Sequence, residues 1–311
     1  MLYDVIIIGG GPAGLTAAIY AVRKKLKTLV IGGSLGGQAA LTGEIQNYLG
    51  FSMITGPDLV MKFREHVRSY KELEIFEGVR ATKIVKIDTE AGSTFEVTTD
   101  NQKRVQGKTV ILSMGEKPRE LHVPGEREFT GKGVSYCATC DGPLFHQKDV
   151  VVVGGGNSGI EAALEISNIA KKVYVIQNLE TLTADAVMVE NIMKKKNVEI
   201  LLKASVAEIR GRNLVSEVII AQHGEKTALA CQGVFVEIGW IPASTLVKDL
   251  VQLNEKDEIM VNKDTATKVP GIFACGDITD VHDKQIIIAA GEGAKAAISA
   301  FKYLIQRKDF A

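Results

Sequence analysis

This sequence of 311 residues has no excess of charge of either sign and no long hydrophobic run. Lys plus Arg and Asp plus Glu both total 37, so the formal net charge is zero. Without a basic field, the chain has little to attract nucleic acid or anionic lipid. Residues 1–4 contain no basic stretch, and the apolar run at residues 5–8 is too short for a signal-peptide core or a membrane span. We therefore expect a cytoplasmic protein that binds neither nucleic acid nor membrane.

Cysteine is scarce as well. Four cysteines in a chain of this length do not make a disulfide scaffold, and only Cys137 and Cys140 are close in sequence. In a reducing compartment such a C-x-x-C pair is more often catalytic or metal-binding than structural. A zinc site needs two more ligands, whereas Cys231 and Cys275 are isolated and the five histidines show no ligand spacing. We therefore expect a redox pair, no metal, and no chemistry at the two isolated cysteines.

An internal repeat is the clearest feature of what is present. Residues 5–14, VIIIGGGPAG, are echoed by residues 150–159, VVVVGGGNSG. In each copy a buried apolar strand runs into a glycine loop, then into a helix-patterned stretch and a second short strand. A βαβ unit begun twice predicts an α/β fold with two Rossmann-like dinucleotide-binding domains. The length and the 46% hydrophobic content are sufficient for two such cores.

The remaining segments predict how the chain is divided between the two domains. Apolar and polar residues alternate in residues 75–87 and 94–99, which is typical of antiparallel strands, and we expect these strands to be additions to the first domain. A strand and turn at residues 271–277 and a long helix at residues 285–306 complete that domain. Gly- and Pro-containing stretches mark two chain crossings, at residues 115–118 and 239–242. We therefore expect a discontinuous first domain of residues 1–116 and 243–311, and a second domain of residues 117–242 that carries the cysteine pair.

The two glycine loops have the GxGxxG spacing that binds a dinucleotide pyrophosphate. This spacing lets the backbone turn tightly, approach the phosphates and present the amides of a helix N-terminus. One copy is a weak indication, because glycines at strand ends often serve only the turn, but two copies in matched context are a stronger one. FAD and a nicotinamide dinucleotide would fill two such domains. The predicted contacts are Gly9, Gly11, Pro12, Ala13 and Gly14 in the first loop and Gly154, Gly156, Asn157, Ser158 and Gly159 in the second.

Two aspartates, and one position where an acidic residue is missing, leave alternatives open. The acidic residue expected after the second strand is missing from the first copy, where Ile31 is followed by glycine, so the ribose contact there is unassigned. Asp277 could bond flavin hydroxyls or cap a turn. Asp141 could protonate a leaving thiolate or the reduced flavin, or it could cap the turn after Cys140.

With these motifs in view, the chain resembles the low-molecular-weight thioredoxin reductases over essentially its whole length. Residues 137–142, CATCDG, match that family's redox motif. The resemblance implies that Cys140 is the sulfur next to the flavin, that Cys137 exchanges with the partner, and that Asp141 is the acid. It also implies a homodimer whose nicotinamide domain swings about the two crossings. By the same resemblance, the flavin-contacting residues are Gly37, Gln38, Asn47, Gly276, Asp277, Gln285 and Ile286.

The second half is also similar to the flavoprotein component of alkyl hydroperoxide reductase, through residues 154–163 and 284–289. That flavoprotein carries an additional thioredoxin-like N-terminal region. Because the first predicted strand here begins at Val5, we expect a separate protein to take the electrons. The predicted route runs from NAD(P)H to FAD, to the Cys137–Cys140 disulfide, and on to a thioredoxin- or glutaredoxin-like protein.

Coenzyme choice is the point at which the sequence departs from the thioredoxin reductases. NADPH-using members have a His-Arg-Arg cluster after the second strand of the nicotinamide domain, where this chain has Gln177-Asn178-Leu179, and residues 173–185 contain no Lys or Arg. Glu180 would repel a 2′-phosphate, whereas Gln177 can bond a ribose hydroxyl. We therefore predict that NADH is preferred over NADPH.

Other functions remain possible at this point. The same disulfide reductase could be fed by ferredoxin or a deazaflavin, or it could serve a peroxiredoxin system. A peroxide-forming NADH oxidase or a ferredoxin:nicotinamide reductase would not need the cysteine pair. A zinc- or nucleotide-binding module without catalysis is the remaining alternative.

Overall fold

The computed structural model describes residues 2–42, 44–88, 90 and 92–307. Its helices are α1 (Pro12–Arg23), α2 (Gly56–Arg68), α3 (Ala138–Asp141), α4 (Asn157–Ser167), α5 (Ala186–Met193) and α6 (Ile286–Leu304), with 3-10 turns at Gly37–Leu41, Gly142–Phe145 and Thr245–Val247. Its strands are β1 (Leu2–Ile8), β2 (Thr28–Gly32), β3 (Glu44–Ile45), β4 (Ile54–Thr55), β5 (Glu74–Glu77), β6 (Ala81–Ile87), β7 (Thr94–Thr99), β8 (Arg104–Leu112), β9 (Glu116–Pro118), β10 (Val134–Ser135), β11 (Asp149–Val153), β12 (Lys172–Ile176), β13 (Val198–Leu201), β14 (Ala204–Gly211), β15 (Val215–Gln222), β16 (Glu225–Ala230), β17 (Gly233–Val236), β18 (Trp240–Pro242) and β19 (Ile272–Ala274).

The first sheet is built around the first glycine-loop strand. Within the described residues its order is β5-β2-β1-β8-β7-β6, and β19 pairs with β8 in parallel. Both faces of β1 are buried, which explains why residues 5–8 are continuously apolar rather than alternating. Helix α6 packs on α1 through small side chains, including Ala17, Ala21, Ala296 and Ala300, that allow a close approach. The late element β19 therefore joins the sheet that begins at the N-terminus, and α6 packs beside it.

The second sheet repeats this arrangement. Its order is β10-β17-β11-β12-β13, with every pair parallel. Strand β11 is buried from Val150 onward and is followed by α4, whose inner face packs on the sheet through Ile160, Ala163 and Ile166. The mixed α/β architecture with two Rossmann-like units is thus confirmed. An antiparallel sheet, β14-β15-β16, lies against the other face through Val206, Val218 and Ile220.

The predicted strand at residues 75–87 is wrong in part. Residues 74–77 form β5, which pairs in parallel with β2 in the register Val30↔Ile75, and only β6 pairs in an antiparallel way with β7. Alternation cannot separate these cases, because both strands are half-exposed and their partners are distant in sequence. Strand β8 also begins earlier than the buried run at residues 109–113, since its first half is the partner of β7.

Short strands connect the two units. Strand β9 pairs with β18 in the register Glu116↔Pro242 and Trp240↔Pro118. These are the predicted chain crossings, and they run side by side as a two-stranded ribbon. In the part of the chain that the structure describes, no helix is both long and apolar enough to span a membrane.

Candidate functional site

The two glycine loops have the same backbone geometry. Gly9 and Gly154 have φ angles of 122° and 130°, a region that L side chains rarely adopt. A Cβ at Gly14 would overlap the carbonyl oxygen of Gly9, and one at Gly159 would overlap that of Gly154. The helix in each unit therefore starts directly against the end of its strand, which is the geometry that brings helix N-terminal amides to a pyrophosphate.

The middle glycines face open space. A Cβ added to Gly11 would meet no heavy atom within 4 Å, and one added to Gly156 would meet only Thr183 Oγ1, at 3.6 Å. These two positions cap the N-termini of α1 and α4, and Pro12 follows as the first residue of α1. Each loop is therefore a cradle of backbone amides that fits a dinucleotide phosphate.

Segments predicted to contact flavin converge on the start of α1. A Cβ at Gly37 would lie 3.0 Å from the Cα of Gly11, and one at Gly276 would lie 3.0 Å from the Cβ of Ala13. These pairs are distant in sequence, so the fold gathers them at one edge of the first sheet. The chain's own residues at this edge fit a flavin dinucleotide that extends from the Gly9 loop.

Polar contacts link the other predicted flavin residues. Asn47 Nδ2 donates to Gln285 Oε1 at 3.1 Å, and Gln38 Nε2 donates to the carbonyl oxygen of Glu116 at 2.6 Å. Gln285 is the N-cap of α6, and Ile286 packs against the small cluster under β3 and β4. Asn47, Gln285 and Ile286 thus lie together, and Gln38 is tied to the start of β9.

Asp277 lies at the turn after β19, where burial raises the pKa of its carboxyl and the Lys284 ammonium opposes that shift. Lys284 Nζ donates to the carbonyl oxygens of Asp277 and Thr279, at 2.9 and 2.6 Å, and pairs with Glu258 at 3.1 Å. Glu116, which sequence reasoning missed, faces the same group, and burial raises its pKa to about 7. Burial thus raises the pKa of two carboxyls at this turn, those of Asp277 and Glu116.

The redox pair lies at the carboxyl edge of the second sheet. Cys137 follows β10 and is the N-cap of α3, and it is bonded as a disulfide to Cys140 with the Cα atoms 5.3 Å apart. The backbone N–H of Cys140 donates to Cys137 Sγ at 3.2 Å, and Ser135 Oγ accepts from the N–H of Cys137 at 3.1 Å. Helix α3 lies against β3, in the flavin-type unit. The disulfide is therefore held at the boundary between the two units.

Asp141 is the last residue of α3. Its N–H donates to the carbonyl oxygen of Cys137 at 3.1 Å, which fixes the turn. Its Oδ1 is buried without a hydrogen-bond partner, and burial raises the pKa of the carboxyl, opposed by a hydrogen bond from Ser135. A carboxyl in this environment holds its proton more firmly than an exposed aspartate does, which suits a proton donor.

Glu237 is a second carboxyl at this edge that the sequence analysis did not identify. It follows the last residue of β17, and a Cβ added to Gly154 would lie 2.2 Å from its carbonyl oxygen. Its carboxylate accepts a hydrogen bond from the Ala138 N–H, and burial raises its pKa to about 8. The available signal was a lone carboxylate at the end of the apolar run GVFV, before Gly239.

Gln177, at the end of β12, is 6% exposed. Its Nε2 donates to the carbonyl oxygen of Thr181 at 3.3 Å, and its Oε1 accepts from the Asn178 N–H at 3.1 Å. Both ends of the amide are thus used to fold residues 178–183 against Gly155, where Thr183 N–H donates to the Gly155 carbonyl oxygen at 2.8 Å. Asn157 Oδ1 anchors the same loop by accepting from the Asp185 N–H at 2.8 Å.

A lysine from outside this stretch reaches the loop. Lys203 Nζ pairs with Glu180 at 2.5 Å, and its N–H donates to the carbonyl oxygen of Leu179 at 3.0 Å. Both side chains are at least half exposed. Sequence order alone could not place Lys203 here. Strand β13 pairs in parallel with β12, so the residues that follow β13, including Lys203, reach the same sheet edge as the loop that follows β12.

The isolated cysteines are buried thiols. Burial raises the pKa of Cys231 to about 12 and raises that of Cys275 further. Neither residue belongs to the redox edge. Across the described ranges, no group of three or more His, Cys, Asp or Glu residues is arranged to hold a metal.

Comparison with known proteins shows where this arrangement recurs. A family model described as pyridine nucleotide-disulphide oxidoreductase matches residues 3–296. The F protein of alkyl hydroperoxide reductase from Staphylococcus epidermidis is 42% identical over 306 residues, and so is a Bacillus subtilis protein named NADH dehydrogenase. Each match covers 98% of this chain but 59% of the relative, so the chain spans about three fifths of the length of these relatives.

A solved structure matches over its full length. Thioredoxin reductase from Streptococcus pyogenes superposes with a TM-score of 0.92 at 38% identity, covering 98% of this chain and 99% of that one. The predicted resemblance to thioredoxin reductases and to the hydroperoxide reductase flavoprotein is thereby confirmed. The paired glycine loops, the disulfide between them and these matches lead to one conclusion: the chain belongs to the pyridine nucleotide-disulphide oxidoreductase family.

Proposed function

We propose that this flavoenzyme uses a nicotinamide coenzyme and FAD to reduce the Cys137–Cys140 disulfide, and that the resulting dithiol reduces a small disulfide protein. One observation carries the proposal. The disulfide lies at the same sheet edge as the Gly154 loop, while α3, which bears it, rests against β3 of the unit that contains the Gly9 loop. A redox pair between two dinucleotide cradles is suited to relay electrons between them.

Each residue of the pair has a separate proposed role. When bound, FAD supplies a two-electron relay between the coenzyme and the disulfide. Two electrons break the S–S bond, and Asp141 supplies a proton to a departing sulfur. The Cys137 thiolate then attacks the partner's disulfide, releasing one partner thiolate and forming a mixed disulfide. Cys140 attacks Cys137 in turn, which restores the pair and releases the second partner thiol.

The cofactor contacts follow from the geometry of the two cradles. FAD would be held by the Gly9–Gly14 loop, including Pro12 and Ala13, and by the segments around Gly37, Asn47 and Asp277. The coenzyme would be held by the Gly154–Gly159 loop with Asn157 and Ser158 at the start of α4. The division into residues 1–116 plus 243–311 and residues 117–242 is part of the proposal, since the β9–β18 ribbon provides a pivot between the units.

NADH is the proposed coenzyme. A 2′-phosphate needs cationic partners, and Lys203, which reaches the loop, is paired with Glu180. The Bacillus subtilis relative is named for NADH, which agrees with this choice. Gln177 and Asn178 stand where a basic cluster would be needed, and neither carries charge.

A thioredoxin- or glutaredoxin-like protein is the proposed acceptor, with a peroxiredoxin system as the second candidate. The Streptococcus pyogenes structure supports the first, and the alkyl hydroperoxide reductase relatives support the second. The proposal also includes a homodimer located in the cytoplasm, where thioredoxin-like carriers are kept reduced.

The first test is purification followed by an absorption spectrum and anaerobic additions of NADH. We expect a flavin band that bleaches with NADH, and NADH-dependent reduction of a thioredoxin measured by thiol release. Cys137→Ser should keep the bleaching and lose thioredoxin reduction, while Cys140→Ser should block transfer out of the flavin. A protein that purifies without flavin, or a Cys137→Ser variant with near-normal thioredoxin reduction, would overturn the proposal.

A different electron donor is the main alternative. If NADH and NADPH both fail to bleach the flavin while reduced ferredoxin or a reduced deazaflavin succeeds, the second cradle does not serve a nicotinamide. The closed loop over Gly155 is the observation that gives this alternative weight, because Gln177 is engaged with its own backbone.

A further inference from the structure

Three adjacent parallel strands bring Glu237 to the centre of the redox edge. In the order β10-β17-β11, Ser135 is in register with Phe235, and Val153 with Val236. The residue after β17 is Glu237, which lies level with Gly154, while β10 ends at Ser135, two residues before Cys137. The Glu237 N–H donates to the Val153 carbonyl oxygen at 2.8 Å, which fixes this position.

The side chain of Glu237 points to the cysteine turn. Its carboxylate accepts from the N–H of Ala138, the residue between Cys137 and the rest of α3, and Ala138 is 6% exposed. The carboxyl is thus held beside the disulfide by a buried backbone amide. Asp141 lies at the other end of the same four-residue helix.

The charged groups that face Glu237 within the described residues are acidic. Burial is the largest cause of the raised pKa of Glu237. The Ala138 amide lowers this pKa, whereas Glu161 and Glu165 of α4, which face the carboxyl, raise it. Glu165 also accepts from Thr139 Oγ1 at 3.0 Å. Glu161 and Glu165 are exposed and screened by water, whereas Glu237 is half-buried.

We propose that Glu237 is a positioning residue that governs how readily the Cys137–Cys140 disulfide is reduced and how this changes with pH. The proposal rests on the proposed redox function of the pair. Two-electron reduction breaks the S–S bond and yields two sulfurs that take up protons or remain as thiolates. A neutral carboxyl beside Cys137 does not oppose the thiolate, whereas an ionised one repels it.

The direction with pH follows from the protonation of Glu237. With its pKa raised to about 8, the side chain is mostly neutral at pH 6.5 and mostly ionised at pH 9. Glu237→Gln keeps a side-chain oxygen that can accept from Ala138 but cannot ionise. The two proteins should therefore behave alike at pH 6.5 and differ at pH 9.

The experiment equilibrates the flavin-bound protein with oxidised and reduced dithiothreitol and labels the free thiols. At pH 9 we expect the Glu237→Gln pair to be more easily reduced by roughly tenfold in equilibrium constant, because a like charge in contact shifts a pKa by about one unit or more. That ratio corresponds to about 30 mV for a two-electron couple. At pH 6.5 the two constants should agree within about twofold. In the reduced proteins, Cys137 should be alkylated faster in the variant at pH 9 only.

Glu161→Gln is the matched control, because it removes one negative charge that faces the same side chain but is exposed. It should change the reduction constant by less than about twofold at either pH. Glu237→Ala, checked for its flavin band and circular dichroism, provides a second variant without the carboxyl and should reproduce the shift. Equal constants for wild type and both Glu237 variants at pH 9, or an equal shift in Glu161→Gln, would overturn the proposal.

The readout separates this proposal from the proposed function. Dithiothreitol and thiol labelling report on the pair without coenzyme or acceptor. Failure of NADH or thioredoxin turnover with the Glu237 effect intact would contradict only the proposed function, and the reverse result would contradict only the role of Glu237.

Discussion

Asp141 and Asp149 have the same unusual feature at opposite ends of the second unit. Each has a buried Oδ1 without a hydrogen-bond partner. Asp141 ends the cysteine turn, whereas Asp149 begins β11, at the amino edge of the sheet, and pairs with Lys171 at 3.5 Å. They share this buried oxygen but differ in their distance from the redox pair and in the ion pair of Asp149, so substituting Asp149 controls for loss of a buried carboxylate away from the cysteines.

Asp141→Asn should slow reduction of the disulfide protein by about a hundredfold or more, the usual effect of removing a general acid. Because burial raises the pKa of Asp141, the wild-type rate should be full below that pKa and fall as pH rises through it. The Asn variant should lose this descending limb. Steady-state thioredoxin reduction across pH measures both effects.

Asp149→Asn is the control for this prediction and should keep the rate within about twofold of wild type. If Asp141→Asn has a normal rate, the residue only fixes the turn. If both variants are equally slow, the loss comes from destabilisation of the sheet.

At this scale the sequence pattern singled out Cys137, Cys140 and Asp141 as candidates, because these residues are adjacent in the chain. It could not identify Glu237 or Lys203. Each lies beside its partner only through strand pairing, and pairing between distant parallel strands leaves no local pattern.

Helices α1 and α6 approach each other closely. A Cβ at Gly293 would overlap the carbonyl oxygen of Ala13, whereas a Cβ at Gly291, two residues earlier on α6, would meet no heavy atom within 4 Å. The helix contact therefore depends on one glycine and tolerates change at the other. This contact also positions Ala13 in the Gly9 cradle.

Gly293→Ala should lower the free energy of unfolding by about 1–3 kcal/mol through overpacking and should weaken flavin retention. Gly291→Ala should raise it by about 0.5–1 kcal/mol, because alanine is the better helix former and nothing is displaced. Urea unfolding followed by circular dichroism measures the difference. Equal effects of the two substitutions would mean that the α1–α6 contact is looser than the structure indicates.

The predicted preference for NADH over NADPH depends on the loop that follows β12. Glu180→Gln should release Lys203 and remove a repulsive charge, raising kcat/KM for NADPH roughly fivefold while leaving NADH unchanged, since about 1 kcal/mol is at stake in an exposed pair. Adding Gln177→Arg and Asn178→Arg should bring the gain for NADPH to about a hundredfold or more. Steady-state assays with one acceptor give both constants.

Lys203→Met in the Glu180→Gln background is the control for the role of Lys203. Most of the Glu180→Gln gain for NADPH should disappear in the double variant. A gain that persists would assign the effect to loss of repulsion alone, and a wild type that prefers NADPH would contradict the prediction itself.

Local patterns predicted the elements around the two glycine loops and the last helix of the chain. Continuous apolar runs before glycine loops indicated β1 and β11, and the long helix pattern at residues 285–306 indicated α6. The partner of β5 was not predictable, because residues 74–77 have the same alternation whether their neighbour is parallel or antiparallel. Whether a strand pairs in parallel or antiparallel depends on its neighbours in the folded sheet and not on its own sequence.

Across the whole molecule, the β9–β18 ribbon joins the two units and α3 bridges them at β3. In the proposed cycle, the coenzyme on the Gly154 loop and the Cys137–Cys140 pair would both have to reach the flavin from the same edge of the second sheet. They would then compete for one position next to the flavin, which is a reason to expect the units to move relative to each other about the ribbon.

The central claim is that the disulfide is in the electron path of a nicotinamide-fed flavin. An anaerobic titration of the flavin-bound protein with NADH, compared with the Cys137→Ser/Cys140→Ser double variant, tests it most directly. Wild type should oxidise two NADH per bound flavin, one for the flavin and one for the disulfide, and free two thiols, whereas the double variant should oxidise one NADH. Consumption of a single NADH by both proteins, with the wild-type disulfide intact, would contradict the claim.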